Sequence, residues 1–325
     1  MNPTGSGTVL RPLGIGEILD RAVNLCVRHF VNLGLIYLVF LIPLAVVQFL
    51  GSGDNAALMQ TLTDALKPGH TGGNAELLRR LGQSNGSSVN PWTLLLFVIA
   101  IFVSPLPAAA LIAAVAAVYL GRPTSFALAY RAGFARWGHF LGVLLMYFFA
   151  GSFLYLVTVI AIVAVFFAVV VLYSLQSTVG IVVGVVLGIA VLALVIGIAT
   201  LATLAAQMSF LACVIERVNF VMAFTSGIRR VFAGIGVRRS LPVGLAFFAI
   251  QTGLALVALA GQVLLTGFLR SAVAGIAYAA IVAVITATFS TAFLVIFYYD
   301  LRVREEGLDL QILAQSVSLE PLPSP

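Results

Sequence analysis

The stretch "VVVLYSLQSTVGIVVGVVLG" (169–188) lies in the longest uncharged region of the chain. No Asp, Glu, Lys or Arg occurs from residue 140 to residue 215. Such a run is too apolar for a soluble core. It is also too long for one bilayer crossing, which takes about 20 residues. "YSLQST" (173–178) is its only polar break, so the chain is expected to turn back there as a helical hairpin. Gly180, Gly184 and Gly188 recur every fourth residue on the second arm. This small-residue ridge lets helices approach closely and reads as internal packing rather than a dimer face.

The rest of the chain has the same character. Of its 325 residues, 62% are hydrophobic and 9% charged, against about 25% charged in a soluble domain. Most of this surface therefore faces lipid. The apolar runs are too long for barrel strands and do not alternate, so helices are the spanning element. The expected fold class is an all-α integral membrane protein with six transmembrane helices, at about 31–50, 92–120, 140–173, 179–215, 241–269 and 272–299. Residues 1–311 form one polytopic domain. Residues 51–91 form an extracytoplasmic loop with two short amphipathic pieces, and 312–325 a Pro/Ser-rich tail expected to be disordered. "SPLP" (104–107) is expected to kink the second span. The first apolar run follows a charged, patterned segment without a signal-peptide layout, so it is expected to be an uncleaved anchor. The third and fourth runs exceed one straight crossing, and tilt, kinks or projection would absorb the excess.

Net charge is +6, and all basic residues but Lys67 are Arg. One side of the six spans holds Arg11, Arg21, Arg28, Arg122, Arg131, Arg136, Arg217, Arg229, Arg230, Arg238, Arg239, Arg302 and Arg304. The other holds Lys67, Arg79, Arg80 and Arg270. By the positive-inside rule both termini are expected in the cytoplasm, in a multi-pass protein of the cytoplasmic (inner) membrane. Arg confined to short segments between apolar runs argues against a nucleic-acid partner. Near a membrane each basic residue attracts anionic headgroups by roughly 1 kcal/mol. Arg21, Arg28, Arg131, Arg136, Arg229, Arg230, Arg238 and Arg239 are therefore candidates for docking lipid headgroups, or a membrane or cytoplasmic protein partner.

The last run leaves the membrane through "FYYDLRVREEGLDLQ" (297–311). Tyr298 and Tyr299 suit an interfacial aromatic belt, rings in the acyl boundary and hydroxyls in water. Asp300 marks the exit. Asp300–Arg304 and Arg302–Glu306 have the spacing of exposed helical pairs worth a few tenths of a kcal/mol. Gly307 is the expected helix stop.

A repeat links the segments before the spans. At an offset of 110 residues, Arg21-Ala22, His29-Phe30 and Tyr37 match Arg131-Ala132, His139-Phe140 and Tyr147. "NFVMAFTSGIRRVF" (219–232) has the same style without clear identities. In the first copy Ile15, Ile18, Leu19, Ala22, Val23, Cys26 and Phe30 share one face, and Glu17, Asp20, Arg21, Asn24 and Arg28 the other. This predicts amphipathic interfacial helices before spans one, three and five, the first at 13–30. The chain then reads as three units in one direction, each an interfacial helix plus a helical hairpin, unlike an inverted repeat.

"LGIGEILDRAVNLCVRHF" (13–30) and "FYYDLRVREEGLDLQ" together resemble bacterial membrane proteins grouped with the glycerophosphoryl diester phosphodiesterase membrane domain. "VIERVNFVMAFTSGIRRVF" (214–232) matches the family's acidic residue followed by an interfacial helix. Its Ser226-Gly227-Ile228-Arg229 departs from the family's Ser-aromatic-Arg pattern. The resemblance implies a six-helix membrane protein of mostly uncharacterised role. The catalytic phosphodiesterase domain that gives the family its name is a TIM barrel, and nothing in this chain corresponds to it. Its chemistry is therefore not carried over.

The residues themselves point to no catalysis. His29, His70 and His139 lack ligand spacing, and His29 and His139 read as anchors at span starts. Cys26 and Cys213 read as small packing residues. No charged residue falls in the middle of a span, which argues against an ion pump or proton-coupled carrier. Ser152, Thr158, Thr200, Thr203, Gln207, Ser209, Gln251, Thr288 and Ser290 read as hydrogen-bonding groups between helices, not nucleophiles. Glu216 is expected to pair with an Arg of the 217–239 segment. No cofactor or metal is implied. The chain reads as a non-enzymatic scaffold or accessory subunit, or a protein of envelope lipid homeostasis. The alternative is a transporter or channel for a neutral or lipid-like substrate.

Overall fold

The computed structural model describes residues 12–50, 102, 105–174, 178–233, 236–265 and 272–306. Among them are seven helices and no strand: α1 (Ile15–Leu50), α2 (Pro105–Tyr119), α3 (Phe126–Ser174), α4 (Thr178–Ile215), α5 (Phe220–Phe232), α6 (Gly236–Val263) and α7 (Ala272–Glu306). Five of these are long and apolar enough to cross a membrane: α1, α3, α4, α6 and α7. The 51–91 loop, the first half of the expected second span, the turn at 175–177, Gly307 and the tail lie outside the described residues. Pro105 and Pro107 are buried at the start of the described part of α2. A kink at 103–104 would again fall outside.

The three repeat units join their leading helix to the following span in three different ways. In α1 the backbone breaks from helical geometry at His29 (φ −119°, ψ 17°), between the amphipathic and apolar halves. In the second unit α3 runs unbroken through His139, so no kink absorbs the length of the third run. In the third unit the chain ends α5 at Phe232 and restarts at Gly236. That restart comes before residue 241 and puts Arg238 and Arg239 on helix α6 rather than in a loop.

Packing turns these units into a closed cycle. The leading helix of each unit lies on the returning helix of the unit before it: α3 on α2, α5 on α4, and α1 on α7. Small residues permit the close approaches. A Cβ on Gly133 of α3 would stand 3.1 Å from the Ala110 backbone nitrogen of α2. One on Gly227 of α5 would stand 2.0 Å from Ser209 Oγ of α4, so any side chain there forces the helices apart. Of the predicted ridge, Gly184 faces Val169 of α3, whereas a Cβ on Gly188 would meet nothing within 4 Å.

The core is concentrated at one end of this cycle. Every residue of α7 from Ala292 to Leu301 is buried, including Phe293, Phe297 and Tyr298. Phe293 stacks on Phe247 of α6 at 5.2 Å, and Tyr299 on Tyr119 of α2 at 5.4 Å. The far parts of α3 and α4 are exposed instead, with Phe148, Phe149, Phe153, Phe166, Phe167, Leu192 and Leu194 on the surface. In lipid, this exposure carries no hydrophobic penalty. Helix association in lipid rests on close packing and polar contacts, and the ionic ones lie at the buried end.

Candidate functional site

The buried end of the cycle is also where the ionisable side chains meet, in two networks. The first is centred on Glu216, in the turn that ends α4. Arg230 of α5 reaches its Oε1 at 2.6 Å through Nη2. Arg230 Nη1 donates to the Tyr298 hydroxyl at 2.8 Å, and that hydroxyl donates to Glu216 Oε1. The guanidinium also lies over the Tyr298 ring, 4.9 Å from its centroid. Arg302 Nε approaches the same carboxylate at 3.5 Å. Helix sidedness produces this meeting. Ala223, Gly227, Arg230 and Val231 form the buried stripe of α5. With Gly at 227 and Ala at 223, the helix sits close enough to α4 to seat a buried guanidinium beside Glu216.

The second network is centred on Asp300, whose side chain is 0% exposed. Its Oδ1 accepts the Leu13 N–H at 2.7 Å. Arg304 Nε lies 3.1 Å from both oxygens, and Arg239 Nη2 3.4 Å from Oδ2. Both guanidinia also donate to the Leu13 carbonyl, Arg304 at 2.9 Å. One carboxylate thus holds the start of α1, the start of α6 and the end of α7, and closes the cycle.

Two expectations are corrected here. Tyr298 and Tyr299 do not form an interfacial belt with hydroxyls in water. Both are buried inside the protein, and Tyr298 is a member of the Glu216 network. Asp300–Arg304 does form at helical spacing, but its carboxylate is fully buried and only the arginine reaches the surface. Arg302 reaches Glu216 of another helix, while the side chain of Glu306, its expected i to i+4 partner, lies outside the described residues. The two corrections share one cause. The last turns of α7 are wrapped by α1, α2 and α6, so polar side chains there find protein partners. The expected pairing of Glu216 with an Arg of the 217–239 segment is present, and the partner is Arg230.

The predicted docking arginines divide. Arg230 and Arg239 are committed to the two networks, and Arg21 pairs with Glu17 at 3.1 Å. Arg28, Arg229 and Arg238 are exposed. Arg131 and Arg136 line a cavity of about 720 Å³ between α2, α3 and the end of α4. Two further arginines line it that were not singled out from the sequence, Arg122 and Arg217. A signal was present, because Tyr119, Val214 and Tyr299 each precede an Arg by three residues, at Arg122, Arg217 and Arg302. The first two arginines follow the ends of α2 and α4, and the third lies within α7, which continues to Glu306.

Hydroxyls within the spans mostly bond back to their own helix. Ser152, Thr200, Thr203 and Thr288 each donate to the carbonyl four residues earlier. That carbonyl is the nearest acceptor when no water is present. Bridges between helices exist at Gln251–Ser290 (2.6 Å) and Tyr147–Ser209 (2.9 Å). A smaller cavity of about 240 Å³ is lined mainly by apolar side chains, with Gln207 and Thr291 its polar members. Cys26 and Cys213 are buried, free thiols. Among the described residues no three His, Cys, Asp or Glu side chains gather as metal ligands would. No protein-family model, curated protein or solved structure matches this chain.

Proposed function

We propose that this chain is a non-enzymatic scaffold or accessory subunit of the cytoplasmic membrane. It crosses six times, with α2 completing the second span and both termini in the cytoplasm. The leading part of α1, the start of α3 and helix α5 lie along the inner interface. Kinship with the glycerophosphoryl diester phosphodiesterase membrane domains belongs to the same reading. Its support is that the two motifs carrying the resemblance meet in space, through Leu13 and Asp300.

The observation that carries the scaffold reading is the α3–α4 hairpin. The uncharged part of α3 beyond His139 runs for about 35 residues, or roughly 50 Å at 1.5 Å per residue. A hydrocarbon core of about 30 Å takes roughly 39 Å of helix even at a 40° tilt. The excess bears exposed Phe166, Phe167, Val170 and Val171. Apolar surface of this kind needs a cover, and a membrane partner beside the hairpin supplies one. The hydroxyls that would line a transport path instead bond to their own helices, which also supports the scaffold. Native mass spectrometry of protein extracted gently from its own membrane should retain a stoichiometric second polypeptide. Phe166→Asn with Phe167→Asn should release it, and a wild-type chain carrying lipid alone would sink the reading. The orientation has a separate check. Trypsin should cut after the exposed Arg229 and Arg238 in sealed inverted vesicles and spare them in right-side-out ones; the reverse pattern would overturn it.

A further inference from the structure

The 720 Å³ cavity gathers four arginines, Arg122, Arg131, Arg136 and Arg217, from three separate segments of the chain. Among the described residues no Asp or Glu lines it. This distinguishes it from the two neighbouring networks, where each guanidinium faces a carboxylate. Its remaining wall is mostly small and apolar, from alanines of α2 and α3 with Val214 and Ile215 of α4. Thr124 adds a hydroxyl just before α3 begins, where the helix dipole presents its positive end. The volume falls within the usual range of ligand sites.

The backbone supplies an independent observation. α2 and α4 end in equivalent turns, and the second residue past each helix has positive φ. After α2 that residue is Gly121 (φ 69°), and Arg122 N–H bonds back to the Ala117 carbonyl at 2.8 Å. After α4 it is Arg217 (φ 57°), alone among non-glycine residues described in having positive φ. A side chain in the left-handed region is strained, and glycine is the residue that relieves it. The chain uses glycine at the first turn and arginine at the second, where the side chain joins the cavity wall. Strain of this kind persists where the side chain serves a site.

We propose that this cavity binds the phosphate group of a phosphoester ligand. Guanidinium forks match phosphate oxygens in pairs, and four of them without a carboxylate leave an anion as the fitting occupant. The apolar wall beside them suits the glycerol and first methylenes of a lipid, and a soluble phosphate ester has the same headgroup chemistry. The site goes beyond the scaffold reading and stands whether or not a protein partner covers the hairpin.

The test uses the full chain in a maltoside detergent free of phosphate. Short-chain phosphatidic acid and inorganic phosphate are titrated separately, and bound ligand is read by native mass spectrometry. Arg131→Gln with Arg136→Gln should weaken binding by at least about tenfold, the scale of a lost charge-assisted contact. Arg79→Gln with Arg80→Gln removes the same charge from residues expected on the other side of the membrane and should leave binding unchanged. Arg217→Gly separates fold from site. It should melt no lower than wild type without ligand, yet bind several-fold more weakly. Binding of phosphatidic acid without competition from inorganic phosphate assigns the site to lipid headgroups, and equal competition assigns it to soluble phosphate esters. Equal affinities in the wild type and the Arg131/Arg136 double variant would overturn the proposal, as would equal losses in both double variants.

Discussion

Asp300→Ala is expected to lower the melting temperature of the detergent-solubilised protein by on the order of 10 °C. Its carboxylate is fully buried and holds Arg304, Arg239 and the Leu13 N–H. Removing one partner of a buried, hydrogen-bonded charge set costs about 3–5 kcal/mol, because the remaining charges keep their desolvation cost without compensation. Asp300→Asn keeps an acceptor for Leu13 but loses the negative charge, so it should fall between wild type and alanine. The loss has a direction in space as well. The start of α1 is tied to α7 through this residue, so trypsin should cut after Arg21 and Arg28 faster in the variant. An alanine variant that melts like wild type, with unchanged cleavage there, would show that the cycle does not depend on this closure.

Glu216→Leu should be nearly as damaging, and a second substitution should repair it. Arg230 is only 4% exposed and loses, with this change, the carboxylate it meets at 2.6 Å. Removing the opposite charge from a buried guanidinium again costs about 3–5 kcal/mol. Arg230→Met alone should cost less, because Glu216 keeps Arg302 at 3.5 Å and is partly exposed. The double variant, Glu216→Leu with Arg230→Met, should recover most of the stability, since an apolar pair of similar volume often replaces a buried ion pair at no loss. Melting curves of the four proteins give the coupling directly. Added salt should change it little, because screening acts weakly on buried pairs. Strictly additive single effects would mean that the two side chains do not act as a pair.

Much of the architecture is legible in the one-dimensional pattern. The uncharged run at 140–215 appears as the α3–α4 hairpin, and the amphipathic pattern at 13–30 appears as the first part of α1, with Ile18, Ala22 and Cys26 buried. The pairing of Glu216 was readable because a single carboxylate precedes an arginine-rich helix. The environment of Tyr298 was not. An interfacial tyrosine and a buried tyrosine in an ion-pair network have the same local sequence, and the difference is which helices pass beside them. The same holds for Asp300, whose i to i+4 partner was visible but whose contact with Leu13 spans nearly the whole chain. Arg217 shows a third kind of limit, since positive φ at an arginine leaves no mark in composition or periodicity.

What the sequence determined by itself was the solvent and the element type. Long apolar runs with almost no charge must face lipid, and lipid admits only helices whose backbone bonds are satisfied within the segment. These are local and additive properties, so they survive without knowledge of neighbours. The tertiary structure alone decided the cycle: α7 returning to α1, two carboxylates gathered among arginines with Asp300 fully buried, and four further arginines drawn around one cavity. Those outcomes depend on which helix faces meet, and that is set by close packing at Gly133 and Gly227 and by the high cost of leaving a buried charge unpaired.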